Sequence, residues 1–196
     1  MARIGMKYPT YASIGTYTAG SAITYTGGKT FAHAIGANMT PNRRNNPLYY
    51  DDELGENDKG ITNYTLQIGI DRIPNADRPA LLGEEAVTNS ATPPVVQEYE
   101  VNDVPVPYVG FGFVSVGQED NVAVYEAYWF HRVQFALDSD AFQTKGEQIQ
   151  WNTPTISGTG TGVQIDSSLK VKYYTHMNFT SETAAYNWLK GKAGIT

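Results

Sequence analysis

The chain has 196 residues, a formal net charge of −6, 14 tyrosines and no cysteine. An acidic chain repels phosphate, which excludes a conventional nucleic-acid-binding domain built on clustered Lys and Arg. The lack of cysteine excludes disulfides, thiolate metal sites and a cysteine nucleophile. No stretch approaches the roughly 18 apolar residues of a membrane span, and the first residues lack the apolar centre of a secretion signal.

In chain order, residues 1–18 form an N-terminal arm. The segment "TFAHAIGANMT", Thr30 to Thr40, alternates Phe31, His33, Ile35, Ala37 and Met39 against smaller residues and predicts a strand. Gly27-Gly28 before it is a hairpin signal, which makes "AITYT" its expected partner. Residues 41–60, rich in turn formers and acids, read as a long acidic loop. "ITNYTLQIGID" alternates Tyr64, Leu66, Ile68 and Ile70 against polar residues and predicts a half-buried strand. "NADRPALLGEE" predicts one short helix with Asn75 or Asp77 at its cap and Gly83 as its stop.

"VVQEYEV" and "PYVGFGFV" predict further strands, followed by one from Asn121 to Leu137 that would run about 17 residues. Strands typically stop at five or six, so such an overhang calls for a cover, for which a second copy of the chain is the expected source. "GEQIQWNTPTISG" and "LKVKYYTHM" predict two more strands, with "GTGTG" (Gly158 to Gly162) as a flexible hairpin tip between them. Residues 180–193 predict a C-terminal amphipathic helix with Ala185, Trp188 and Leu189 on one face and Gly194 just past its end. The sum is a mainly β chain: a single domain over residues 1–196, with a β-sandwich or barrel-like architecture, a long hairpin and two helices.

Gly110-Phe111-Gly112 could be part of a phosphate-cradling loop, but the dinucleotide pattern needs a third glycine where Ser115 stands, and then a helix. The alternating run instead predicts a strand thinned by glycine. With Val116 set opposite Val122 around a "GQEDN" turn, Gly110 would face Tyr128, Phe111 would face Ala127 and Gly112 would face Glu126, so that an aromatic covers a glycine.

Candidate chemistry is sparse. Glu126 and Arg132 share a strand face but stand roughly 20 Å apart, and His131 points the other way. No His-x-x-x-His or His-Glu pairing suggests a metal. Asp51, Asp52, Glu53, Glu56 and Asp58 lack the calcium-loop spacing, although one of them could serve a glycoside hydrolase with a carboxylate from elsewhere. Trp129, Trp151 and Trp188 could make a sugar-stacking platform, with burial as the plainer use. The expectation is therefore no catalytic residue, no cofactor and no metal.

"ARIGMKYPTYA", "LYYDDELGENDKG", "PYVGFGFV", "YEAYWFHRVQF", "TKGEQIQWNTPTISGT" and "AYNWLKGKAG" together resemble, in order along the chain, the major tail protein or tail tube protein of long-tailed bacteriophages. The resemblance implies a structural virion subunit that closes into hexameric rings, which stack into a tube for DNA ejection. It implies tape-measure, tail terminator and distal tail proteins as partners, passage of DNA without specific binding, no membrane, and residence in the virion tail after assembly in the host cytoplasm. Its matching blocks include the arm and the acidic loop, which makes Tyr8, Tyr11, Tyr49, Tyr50, Asp51, Asp52, Glu53 and Asp58 the expected subunit contacts. The alternatives are a carbohydrate-binding β-sandwich and a glycoside hydrolase that uses the acidic loop.

Overall fold

The computed structural model describes residues 2–88, 96–139 and 153–195. They form a mainly β fold with two short helices. In chain order the strands are β1 (Ala2–Thr16), β2 (Thr24–Thr30), β3 (Ala34–Arg43), β4 (Asn46–Tyr50), β5 (Glu53–Asp58) and β6 (Ile61–Ile70). After α1 (Arg78–Leu82) come β7 (Glu85–Thr88), β8 (Val96–Glu100), β9 (Val109–Glu119), β10 (Val122–Ser139), β11 (Thr155–Thr161) and β12 (Tyr174–Phe179), then α2 (Glu182–Ala193). One antiparallel sheet runs β2-β1-β9-β10-β11-β6-β3, with β12 also on β10. It curls until β1, next to the β2 end, and β3, at the other end, line a common cavity. The hairpins β4–β5 and β7–β8 stand as separate two-stranded sheets.

Alternation decides which side chains enter the curl. Tyr64, Leu66, Ile68 and Ile70 of β6 are buried, as their period-two spacing predicts. They pack with Phe111, Phe130, Phe135 and Ile156 inside the sheet, where Phe111 meets Phe31 and Phe135 edge-on. The outer face of β1, β9 and β10 presents Ala12, Val114, Ala127 and Trp129, and α2 covers it with Ala185, Leu189 and Ala193. Trp188 lies half-buried at the margin of that contact. Ser181 precedes α2 and Gly194 caps its end at φ 69°, the left-handed conformation that favours glycine.

The strand β10 is 18 residues long, and its partners are its own chain. One edge pairs with β9; the other is shared, with β12 opposite Tyr125–Phe130 and β11 opposite Val133–Ser139. The length therefore does not by itself require a second copy, contrary to the overhang argument. One strand simply serves three neighbours.

The register of β9 on β10 also differs from expectation. Val122 faces Glu119, because the turn is only Asp120-Asn121, at φ 49° and 62°. Positive φ at both central residues is the signature of a type I′ turn, which Asp and Asn tolerate. The slip exchanges the covering aromatic: Gly112 faces Trp129, while Tyr128 faces Phe113. The thinning has the expected use with a different partner. A Cβ on Gly110 would come within 2.5 Å of Trp129 and Tyr25, and one on Gly112 within 2.5 Å of Leu189.

Four further expectations are corrected. Gly27-Gly28 is a bulge inside β2, not a turn: Tyr11 faces Lys29, whereas Ser13 faces Thr26. Gly27 takes φ 61°, and Gly28 is bare because the last turn of α2 rests against it. The partner of β3 is β6, and the chain breaks at Ala32 (φ 55°), so that Phe31 enters the core while Ile35 is 58% exposed. "GTGTG" is no hairpin tip: Gly158 to Thr161 continue β11 between β10 and β6, with Phe135 filling the space above Gly158. The strand expected over "LKVKYYTHM" shrinks to a single bridge at Lys172 and to β12.

Residues 41–60 are the largest correction. They finish β3 and then form the β4–β5 hairpin, turning at Asp51-Asp52 with φ 53° and 61°, again a type I′ turn. Acidic turn formers read as loop composition, but here they are hairpin chemistry.

Candidate functional site

The residues that invite a catalytic reading serve separate structural ends. Glu126 accepts from Arg3 at 3.3 Å and lies 2.9 Å from His176 Nδ1. Burial pushes its carboxyl up, but hydrogen bonds from Tyr128, His176 and Arg3 outweigh that and hold it below the usual range. His131 is 4% exposed, with Nε2 3.0 Å from the Thr175 hydroxyl. Burial, then Lys192 and Lys172, lower its pKa to about 4. The Arg132 guanidinium lies 3.7 Å over the Tyr108 ring. These groups do not converge, as strand geometry predicts. Among the described residues no group of three His, Asp or Glu could hold a metal.

The sugar-platform idea fares no better. Trp129 is fully buried, Trp188 packs on Phe179, and Trp151 lies outside the described residues.

Of the expected contact residues, Tyr11 is corrected. It is 2% exposed, and its hydroxyl donates to Asp77 Oδ1 at 2.7 Å; Lys29 also pairs with that carboxylate. Burial, with the Asp77 bond, raises the Tyr11 pKa. The residue holds α1 to β1 and offers no surface. Tyr8 sits at φ 56° inside the register shift between Lys7 and Thr10 of β1. Its ring stacks on Tyr186 at 4.3 Å, and its hydroxyl donates to Glu182 at 2.5 Å. Lys7 reaches the same carboxylate at 2.9 Å, so the arm is pinned to the first turn of α2.

Tyr49, Tyr50, Asp51, Asp52, Glu53 and Asp58 lie together on the β4–β5 hairpin. Its root is held by Arg44, which pairs with Asp58 at 2.5 Å and donates its backbone N–H to Gly60 at 2.9 Å. The Tyr50 ring covers Gly55 across the hairpin. Apolar side chains stand out on both faces: Leu48 is 57% exposed and Tyr50 58% on one, Tyr49 64% on the other. The tip, Asp51 to Glu53, is acidic. This is an ordered arm with greasy sides and a charged end.

The feature that the sequence reading missed lies at the seam of the curled sheet. Among the described residues, strand β2 joins β1 only from Thr10 onward, and β3 pairs only with β6. Between the early half of β1 and β3 lies a cavity of about 320 Å³, floored by Met6, Met39, Leu66 and Phe113. A second cavity, about 450 Å³, continues past Met6 to Ala32 and Ala34. The signal was available: Gly5 and Gly36 interrupt strands, and strand glycines mark bulges or close backbone approach.

No family profile matches the chain, and no curated protein matches it in sequence. No helix among the described residues is long and apolar enough to cross a membrane.

Proposed function

We propose that the chain is a structural subunit that associates with copies of itself into rings and tubes, in the manner of the phage tail tube proteins it resembles. The observation that carries this reading is the β4–β5 hairpin, an ordered arm with Leu48, Tyr49 and Tyr50 more than half exposed. A lone two-stranded hairpin is marginally stable in water, and clustered exposed apolar side chains mark interaction surfaces. Among the described residues the arm pairs with no other strand, so a neighbour is the natural cover.

Association of unlike surfaces, arm to body, is heterologous and closes into a ring when the rotation permits. Hexameric closure and stacking belong to the reading, as do a tape-measure, a terminator and a distal tail protein as partners in a virion. The charge fits a conduit. Copies carrying −6 each would repel DNA phosphates rather than release counterions by binding them, so a genome could slide. The test is sedimentation velocity and negative-stain imaging of the purified protein over a broad concentration range. Rings or tubes are expected; a solitary species at every concentration would refute the reading.

A further inference from the structure

Strand β12 has one edge taken and one open. It pairs with β10 from Tyr174 to Phe179, and among the described residues no strand pairs with its other edge. An open edge presents backbone N–H and C=O groups able to receive one more strand. Beside it the outer face of the sheet is apolar. Met177 and Phe179 stand on that face, opposite Ala127 and Tyr125, and Met177 is exposed. Phe179 lies 6.2 Å from Trp188 of α2, and the Lys192 ammonium stands 5.3 Å over the Trp188 ring. Main-chain bonds along such an edge give affinity, and the alternate side chains beside it give specificity.

The start of the same strand is basic. Leu169, Lys170, Val171 and Lys172 lead into it, and Leu169 and Val171 are exposed. Lys192 belongs to this end as well. It shares a cavity of about 200 Å³ with His131, and His131 Nε2 lies 3.0 Å from the hydroxyl of Thr175, the second residue of β12. Lys172 is paired with Asp166. Lys170 and Lys192 have no carboxylate partner among the described residues. The open edge therefore runs from a cluster of lysines to an apolar corner.

The β4–β5 hairpin brings the complementary set. Strand β4 likewise has one edge taken, by β5, and one open among the described residues, so a single edge meets a single edge. Leu48 and Tyr50 are exposed two residues apart on one face, the spacing that Met177 and Phe179 also have. Asp51, Asp52 and Glu53 at the tip have no cation partner among the described residues. Laid antiparallel to β12, β4 runs toward Tyr174 and carries that tip to Lys170 and Lys192. Two hairpins laid on each other would set acid against acid, which like-charge repulsion opposes. We propose that the open edge of β12 is the seat for β4 of a second copy, with the acidic tip on Lys170 and Lys192 and Leu48 and Tyr50 on Met177, Phe179 and Trp188. This rests on the reading of the chain as a self-assembling subunit and adds the receiving half of the contact.

The experiment uses the full chain in three forms: wild type, a seat variant (Lys170→Glu with Lys192→Glu) and a tip variant (Asp51→Asn, Asp52→Gly and Glu53→Lys). Asn-Gly keeps the type I′ turn while removing its charge. Circular dichroism and thermal melting first establish that each variant folds, and Met177→Glu, at an exposed position, is a second seat variant should the first not fold. Sedimentation velocity then measures association. Each variant alone is expected to need a concentration about a hundredfold above wild type to associate. An equimolar mixture of the Lys170→Glu/Lys192→Glu and tip variants should associate close to wild type, because the reversed tip meets the reversed seat and the native tip meets the native seat. Folded seat variants that assemble like wild type, or a mixture no tighter than its components, would overturn the seat while leaving self-assembly intact. A wild type that never associates would instead remove the underlying reading.

Discussion

His131 should make the fold sensitive to mild acid. Its ring is buried on the outer face of β10, in a cavity it shares with Tyr25, Trp129 and Lys192. Burial, with Lys192 and Lys172 nearby, lowers its pKa from 6.5 to about 4. The unfolded chain takes up the proton near 6.5 and the folded chain only near 4, so in that window the unfolded state binds more protons. Stability from this group is therefore fully present above 6.5, falls as pH drops, and changes no further below about 4. At about 1.36 kcal/mol per pH unit of displacement, the loss is on the order of 2 kcal/mol by pH 5 and 3 kcal/mol near pH 4. Urea unfolding of wild type and His131→Gln at pH 7.5, 6 and 5 measures it. Several carboxylates held below their usual range, among them Glu126, Glu182 and Asp71, also weaken the fold in acid, but they do so equally in both proteins. The difference between the two slopes isolates the histidine, and identical slopes from pH 7.5 to 5 would refute the argument.

Two further predictions address the glycines and the hairpin turn. Gly112→Ala forces a methyl against Leu189 and Trp129, with 2.5 Å and 2.7 Å available; it should cost about 1–3 kcal/mol by overpacking, whereas Gly36→Ala should leave the melting temperature nearly unchanged, and equal melting of the two would show that the contacts do not matter. Replacing Asp51-Asp52 with Asn-Gly, the preferred type I′ pair, should slow amide exchange across residues 46–58 without shifting global unfolding; faster exchange there would count against the turn assignment.

What the sequence made legible follows from the range of the forces involved. Strand β6 and helix α2 could be read because burial on one face imposes a period that neighbouring residues share. The two-residue turns at Asp51-Asp52 and Asp120-Asn121 were hidden because Asp-Asp and Asp-Asn signal a turn more weakly than Asn-Gly, and polar flanks made each turn look longer. Once Asp120-Asn121 is misjudged, the register of β9 on β10 must slip with it. Gly27-Gly28 and Gly158 misled for a different reason. Their bareness answers to residues distant in sequence, Ala193 for Gly28 and Phe135 for Gly158, and a local pattern carries no record of such contacts. Tyr11 was placed at a subunit contact by its position in the arm, yet its hydroxyl is taken by Asp77, a partner that only the fold brings near.

The same contrast bears on the open seam. Exposed strand edges invite indiscriminate pairing, and proteins blunt them with charges, bulges and proline. Strand β1 carries Arg3 and Lys7 in its free half together with two register shifts, and β3 carries Pro41. Those features discourage flat, endless sheet growth. Beneath the rim, Met6 and Met39 stay half-buried, while Leu66 and Phe113 are buried. Blunted edges limit indiscriminate pairing, and the self-association proposed for this chain would require that kind of selectivity.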